Sequence, residues 1–256
     1  MNAGPRNWAG NIAFAARTVA RPRTIAELQD IVRRSDKLRV LGSGHSFNTI
    51  ADTDDTLIIL SDLERRIEID SAAGIVSVDS GATYADLAPI LYAAGFALPN
   101  VASLPNITIA GAVVTATHGS GDANRNLAAA VSGIKLVTAN GEIQSLNRGD
   151  AEFDGAVVSL GALGVISELT LDIVPSFDVR QNVYLYLPVA TVIENFDALM
   201  SRAYSVSLFT RWQGAAIDQI WVKALASAGE PPVDVLGARA ATRACHPIPD
   251  MDGTNC

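Results

Sequence analysis

Cysteine is nearly absent: Cys245 and Cys256 are the only two in 256 residues. They have neither Cys-x-x-Cys spacing nor clustered histidine partners, so no zinc site is expected. Two late cysteines do not make a disulfide framework, which fits a reducing, cytoplasmic setting. Positive charge is also short. Lys and Arg number 19 against 27 Asp and Glu, a net charge of -8. That argues against a nucleic-acid partner, whose phosphates are held by clustered cations. No apolar run reaches the roughly 18 residues that span a bilayer, so no membrane partner is expected. The N-terminal stretch has no signal-peptide h-region. Arg6, Arg17, Arg21 and Arg23 precede the first acid, Glu27, but the text around them reads as ordinary strand and helix entry. No internal repeat is evident.

Apolar residues are 49% of the chain, enough for a substantial core. Thr24 and Glu27 form a capping-box pattern before a helix over Ile25 to Ser35, with Ile25, Leu28, Ile31 and Val32 on one face. Short strands are expected at Arg39 to Leu41 and Leu57 to Leu60. Ile67 to Asp70 and Ile75 to Asp79 read as a hairpin around Ala73-Gly74. A second helix over Thr83 to Ala94 carries the stripe Leu87, Ile90 and Leu91 and ends at Gly95. Val131 to Thr138 and Glu142 to Leu146 flank Asn140-Gly141, a type I′ turn signal. Phe153 to Val158 leads to a closing strand, Glu168 to Ile173. The class is α+β.

After about Asp178 the texture changes. Asn182 to Leu187 reads as a strand ended by Pro188, Val189 to Ala203 as a helix, and Ser205 to Trp212 and Gln219 to Ala224 as strands. Beyond Leu225 no periodicity is visible. The division expected is 1–177 and 178–256. The second part reads as a half-built sheet and the chain as C-terminally truncated, since such a sheet leaves an edge unprotected.

Three stretches are rich in small residues. In Arg39 to Asn48, an apolar strand end runs into Gly42-Ser43-Gly44 and then His45. Glycines admit a close ligand approach, and successive N–H groups in such a turn form a concavity suited to phosphate oxygens. This is not the Gly-x-Gly-x-x-Gly dinucleotide fingerprint, because Phe47 stands where the last glycine belongs. Ala102 to Gly121 holds no Asp, Glu, Lys or Arg and is dense in Gly, Ala, Ser and Thr. Its backbone can lie against a large flat ligand. Its end, Thr117-His118-Gly119-Ser120-Gly121, repeats the Gly-Ser-Gly and His chemistry, with His118 read as a structural hydrogen-bonding residue. Ser159 to Ile166 is the third stretch.

In this order the three patches resemble the FAD-linked oxidases of the vanillyl-alcohol-oxidase/PCMH flavoprotein superfamily, and within it the alditol (xylitol/sorbitol) oxidases. The resembling text is Asn7-Trp8-Ala9-Gly10-Asn11, Val40 to Asn48, Leu98 to Gly121, Ser159 to Val165, Ala203 to Thr210 and His246-Pro247-Ile248-Pro249. It covers essentially the whole chain and about three-fifths of such an enzyme. The resemblance implies a two-subdomain PCMH-type FAD-binding domain followed by the start of an α+β substrate (cap) domain. It implies FAD bound covalently through His45. It assigns the pyrophosphate to Val40, Leu41, Gly42, Ser43, Gly44, His45 and Ser46. Thr108, Gly111, Ala112, Val113, Val114 and His118 become the cofactor-lining run, and Gly164 and Ile166 the last contact. Ser103 falls beside both flavin and substrate.

The implied reaction oxidises the terminal CH–OH of a polyol with O2, giving an aldose and hydrogen peroxide. No metal is involved. The catalytic base is expected beyond residue 256. One alternative is an aldono-1,4-lactone oxidase or dehydrogenase, and another is a flavin-binding module without turnover. Asn106 departs from the family pattern, which often has histidine after Ser-Leu-Pro.

Overall fold

The computed structural model describes residues 4–229, 234–248 and 251–253; Pro249 and Cys256, singled out above, lie outside them. The chain divides into two compact units. One comprises residues 1–119 and 126–176, the other residues 120–125 and 177–256.

The first unit begins with β1 (Thr18–Ala20), α1 (Ile25–Arg34), β2 (Leu38–Leu41) and β3 (Thr56–Ile59). These strands form a parallel sheet in the order β1-β3-β2, with Val40 opposite Ile58. All four β3 residues are buried, as expected of a parallel strand covered on both faces. Leu28 and Val32 of α1 pack on Ile58, while Leu41, Leu57 and Ile59 pack on Phe14. The α1 capping box is only half made. Thr24 accepts from the Glu27 amide, but the Glu27 carboxylate accepts from Arg23 N rather than from the capping residue.

The unit continues with β4 (Ile67–Asp70), β5 (Ile75–Asp79), α2 (Tyr84–Ala93), β6 (Phe96–Ala97), α3 (Ile109–Val114), β7 (Val131–Val137), β8 (Ile143–Asn147), α4 (Phe153–Val157), β9 (Val165–Asp172) and β10 (Val174–Pro175). An antiparallel sheet in the order β4-β5-β9-β7-β8 carries the main core, and β6 pairs with β10. Val76, Leu169 and Leu171 of the sheet pack with Leu87 and Leu91 of α2, Ile109 and Val113 of α3, and Phe153 of α4. Thr83 and Asp86 cap α2 reciprocally.

Two expectations need correction here. Ile90 is 42% exposed rather than part of the α2 stripe. The Asn140-Gly141 connection is not type I′, because only Gly141 has a positive φ. Gly141 N donates to Thr138 O, and Thr138 N to Glu142 O. This is a three-residue loop closed by a left-handed glycine.

The second unit contains β11 (Val179–Pro188), α5 (Val189–Glu194), α6 (Phe196–Met200), β12 (Ser205–Phe209), β13 (Ala216–Leu225), β14 (Asp234–Val235) and β15 (Ala238–Ala240). Its sheet runs β12-β13-β11-β15-β14, antiparallel throughout. Tyr184, Leu187, Leu199, Val206 and Ile220 centre its core. The single helix expected over Val189 to Ala203 is two helices. The Asn195 side chain donates to Thr191 O, competing with the backbone where they part. The stretch after Leu225 is not featureless either. β14 and β15 form a hairpin that adds to β11, pairing Tyr184 with Ala240.

Candidate cofactor site

The site is built where β2 ends. The turn after Leu41 must pass close to the start of α3, and glycine permits it. A Cβ on Gly42 would collide with Thr108 Oγ1, and one on Gly111 would lie 2.7 Å from the same oxygen. Ser43 secures the approach, its Oγ accepting from Thr108 N at 2.7 Å. Gly44 then adopts φ +71°, a conformation that L side chains disfavour. Its carbonyl accepts from Trp8 N at 2.8 Å. The His45 imidazole stacks on the Trp8 indole, with ring centroids 4.9 Å apart and planes 22° apart.

Two adjoining cavities flank this turn. The larger, about 300 Å³, is lined by Val40, Leu41, Gly42, Ser43, Thr108, Gly111, Val114, Gly164 and Ile166 among the residues expected from sequence. The smaller, about 180 Å³, shares Val40 to Ser43, Thr108 and Gly111 and adds Gly44, His45, Ser46 and Ala112. Thirteen of the sixteen expected residues thus come together around one backbone strip. The other three stand apart. Val113 is fully buried in the core and lines neither cavity. Ser103 and His118 are exposed and also line neither; His118 Nδ1 lies 3.2 Å from Gly119 O.

Sequence reasoning missed part of the wall. Ser80, Gly81 and Thr83, between β5 and α2, line the larger cavity, as do Asn106 and Gly161. The available signal was a Ser-Gly pair directly after a strand. The loop is held from below by Asp79, whose buried carboxylate accepts from Arg65 Nη1 at 2.7 Å, Arg66 N at 2.8 Å and Gly81 N at 3.0 Å. Beside it, the Asp86 carboxyl is held below its ordinary range, chiefly by the Thr83 backbone amide. Burial raises the Tyr84 phenol far above its ordinary range.

The walls fit a dinucleotide. Aliphatic side chains of Ile50, Ile59, Leu60, Val114 and Ile166 offer flat apolar surface. Gly81 and Gly164 let these wall segments pack directly against Leu60 O and Val137 O, where a Cβ would collide. The Ser80 hydroxyl is buried without a hydrogen-bond partner among the described residues, a group a polar ligand can satisfy. An anion here would meet backbone amides rather than a cluster of cations.

The FAD binding domain family matches residues 16–147. Alditol oxidase from Streptomyces sp. is 45% identical over the whole of this chain, which covers 61% of that protein. L-gulono-1,4-lactone dehydrogenase from Mycobacterium tuberculosis is 41% identical over 180 residues, covering 69% of this chain and 42% of that protein. A solved variant of cholesterol oxidase from Brevibacterium sterolicum superposes with a TM-score of 0.77 over 89% of this chain and 48% of its own, at 15% identity, which establishes a shared fold. The chain spans about three-fifths or less of the length of these curated relatives. On the matched stretch and the relative that accompanies it end to end, the chain belongs to the PCMH-type FAD binding domain family, and FAD is its cofactor.

Proposed function

We propose that the protein is an FAD-dependent alditol oxidase, taking a terminal CH–OH of a polyol such as xylitol or sorbitol to the aldose. The observation that carries this reading is the extent of the likeness. Identity to the alditol oxidase runs through both units, whereas the lactone dehydrogenase accompanies only 69% of the chain. Bound FAD supplies a hydride acceptor at N5 that O2 can reoxidise, releasing hydrogen peroxide.

The chain's own residues hold and orient that cofactor. Residues 1–177 act as the FAD-binding domain, and 178–256 belong to the substrate domain. Backbone amides from Gly42 to Ser46 receive the pyrophosphate, and Gly42 and Gly111 keep the approach free of side chains. Thr108, Val114, Gly164 and Ile166 line the larger cavity along the cofactor, whereas Ser103, exposed, stands on the substrate side. His45 forms a covalent bond to the flavin 8α carbon. With FAD bound, that link would give up one C–H bond of the methyl and the imidazole N–H for the new C–N bond, and the two protons and one electron pair left over would pass to O2 as hydrogen peroxide. The attacking ring nitrogen must be unprotonated, which imidazole offers near neutral pH.

Acid denaturation and gel electrophoresis test the bond: yellow fluorescence should travel with the polypeptide and vanish in His45→Ala. Flavin that is released from the parent protein defeats the bond and leaves the fold assignment intact. Peroxide assays with xylitol, sorbitol and an aldono-1,4-lactone test the substrate. Lactone turnover without polyol turnover would favour the second reading, an aldonolactone oxidase or dehydrogenase, which the 41% identity over 180 residues supports.

A further inference from the structure

The segment Asn7 to Asn11 grips His45 from three directions. Trp8 N donates to Gly44 O on one side of the histidine. Asn7 Nδ2 lies 3.3 Å from Ser46 O on the other. The Trp8 indole covers a face of the imidazole itself. Asn7 is only 4% exposed, and its side chain is fixed by Asn11 Oδ1 at 2.8 Å and Ile12 N at 3.0 Å. Gly44 is packed closely enough that a Cβ there would stand 3.3 Å from Trp8 N. A part-exposed histidine that follows a glycine-permitted turn would otherwise be free to change rotamer about χ1 and χ2.

Trp8 lines neither cavity and is 65% exposed, so neither the cofactor walls nor the core requires an indole there. What its ring does touch is His45. We propose that Trp8 is a positioning residue for flavin attachment: its stacked indole holds the His45 ring in the orientation from which nitrogen reaches the flavin methyl. This rests on the covalent bond proposed above. Stacking confines the ring to one plane, and Asn7 confines the backbone that carries it. The ring thus meets the bound flavin already oriented, without first losing rotational freedom.

The test uses protein expressed under riboflavin limitation, mixed with FAD in air. Total bound flavin and acid-stable flavin are followed separately. In Trp8→Ala the rate of acid-stable attachment should fall about three- to tenfold, the worth of one aromatic stack. Non-covalent FAD affinity and the apoprotein melting temperature should stay at parental values. Trp8→Phe should restore most of the rate. Attachment in Trp8→Ala at the parental rate overturns the proposal. A parallel loss of FAD affinity also overturns it, because Trp8 would then support the site generally. A parent protein that binds FAD but never holds it through acid defeats the His45 bond first, and the positioning role with it.

Discussion

Replacing Asp79 by alanine removes one acceptor from three donors at once. The side chain is 5% exposed, at the end of β5. Gly81 N–H is buried, and losing its partner costs about 1–3 kcal/mol. Arg66 N–H is partly buried and costs about 1 kcal/mol more. The Arg65 side chain is 38% exposed and can turn to water, so its share is small after solvent screening. Together Asp79→Ala should destabilise the first unit by about 2–4 kcal/mol. For a unit of this size that lowers the melting temperature by about 4–16 °C.

Asp79→Asn should cost roughly half as much, because its amide oxygen can still accept from Gly81 N. The perturbation should also reach the cofactor. Asp79 holds the turn that puts Ser80 and Gly81 in the wall of the larger cavity. Added FAD should therefore raise the melting temperature of Asp79→Ala less than that of the parent. Thermal unfolding followed by circular dichroism, with and without FAD, measures both effects. A variant melting within about 2 °C of the parent would refute the view that this carboxylate holds the loop.

Gly42→Ala involves no unfavourable φ, so its cost comes from collision with Thr108 Oγ1 alone. It should destabilise by about 1–3 kcal/mol and weaken FAD binding, and the second change Thr108→Ala should recover most of both in melting and flavin-fluorescence titrations. Asp86 predicts a pH dependence. Its carboxyl is depressed in the fold by the Thr83 amide first, with Arg65 adding at 3.6 Å. A depressed carboxylate contributes stability above its unfolded pKa and loses it as pH falls through the folded value. The α2 N-terminus should therefore weaken only below about pH 4, and Asp86→Asn should flatten that acid slope while leaving the profile from pH 6 to 8 unchanged in shape.

Local signals were legible wherever one element carried its own reason. The β4–β5 hairpin follows its alternation and turn, and Thr24 caps α1 as its spacing requires. Failures came where two readings shared one pattern. At about 100° per residue, Tyr84, Leu87 and Leu91 fall within one narrow arc, and Ile90 lies outside it, facing water. Asn140-Gly141 suits type I′, yet Thr138 and Glu142 pair across it and leave a single left-handed residue. β14 and β15 have two and three residues, too few to show a period.

The site poses a different problem, because its glycines serve two purposes that look alike in sequence. Gly74 and Gly95 have positive φ and open space around a would-be Cβ, so each answers to its own turn. Gly42, Gly81, Gly111 and Gly164 are each limited by an atom of another residue: Thr108 Oγ1, Leu60 O, Thr108 Oγ1 again and Val137 O. All four line the larger cavity. A glycine-rich stretch announces that something comes near, and the motif around Gly42 could be read on that basis. What comes near is decided by strand pairing and helix docking over long separations, as Ser43 meeting Thr108 illustrates. Trp8 is the extreme case. Its partner ring is 37 residues away, no periodicity joins them, and only the folded turn at Gly44 makes an exposed tryptophan part of the histidine's surroundings.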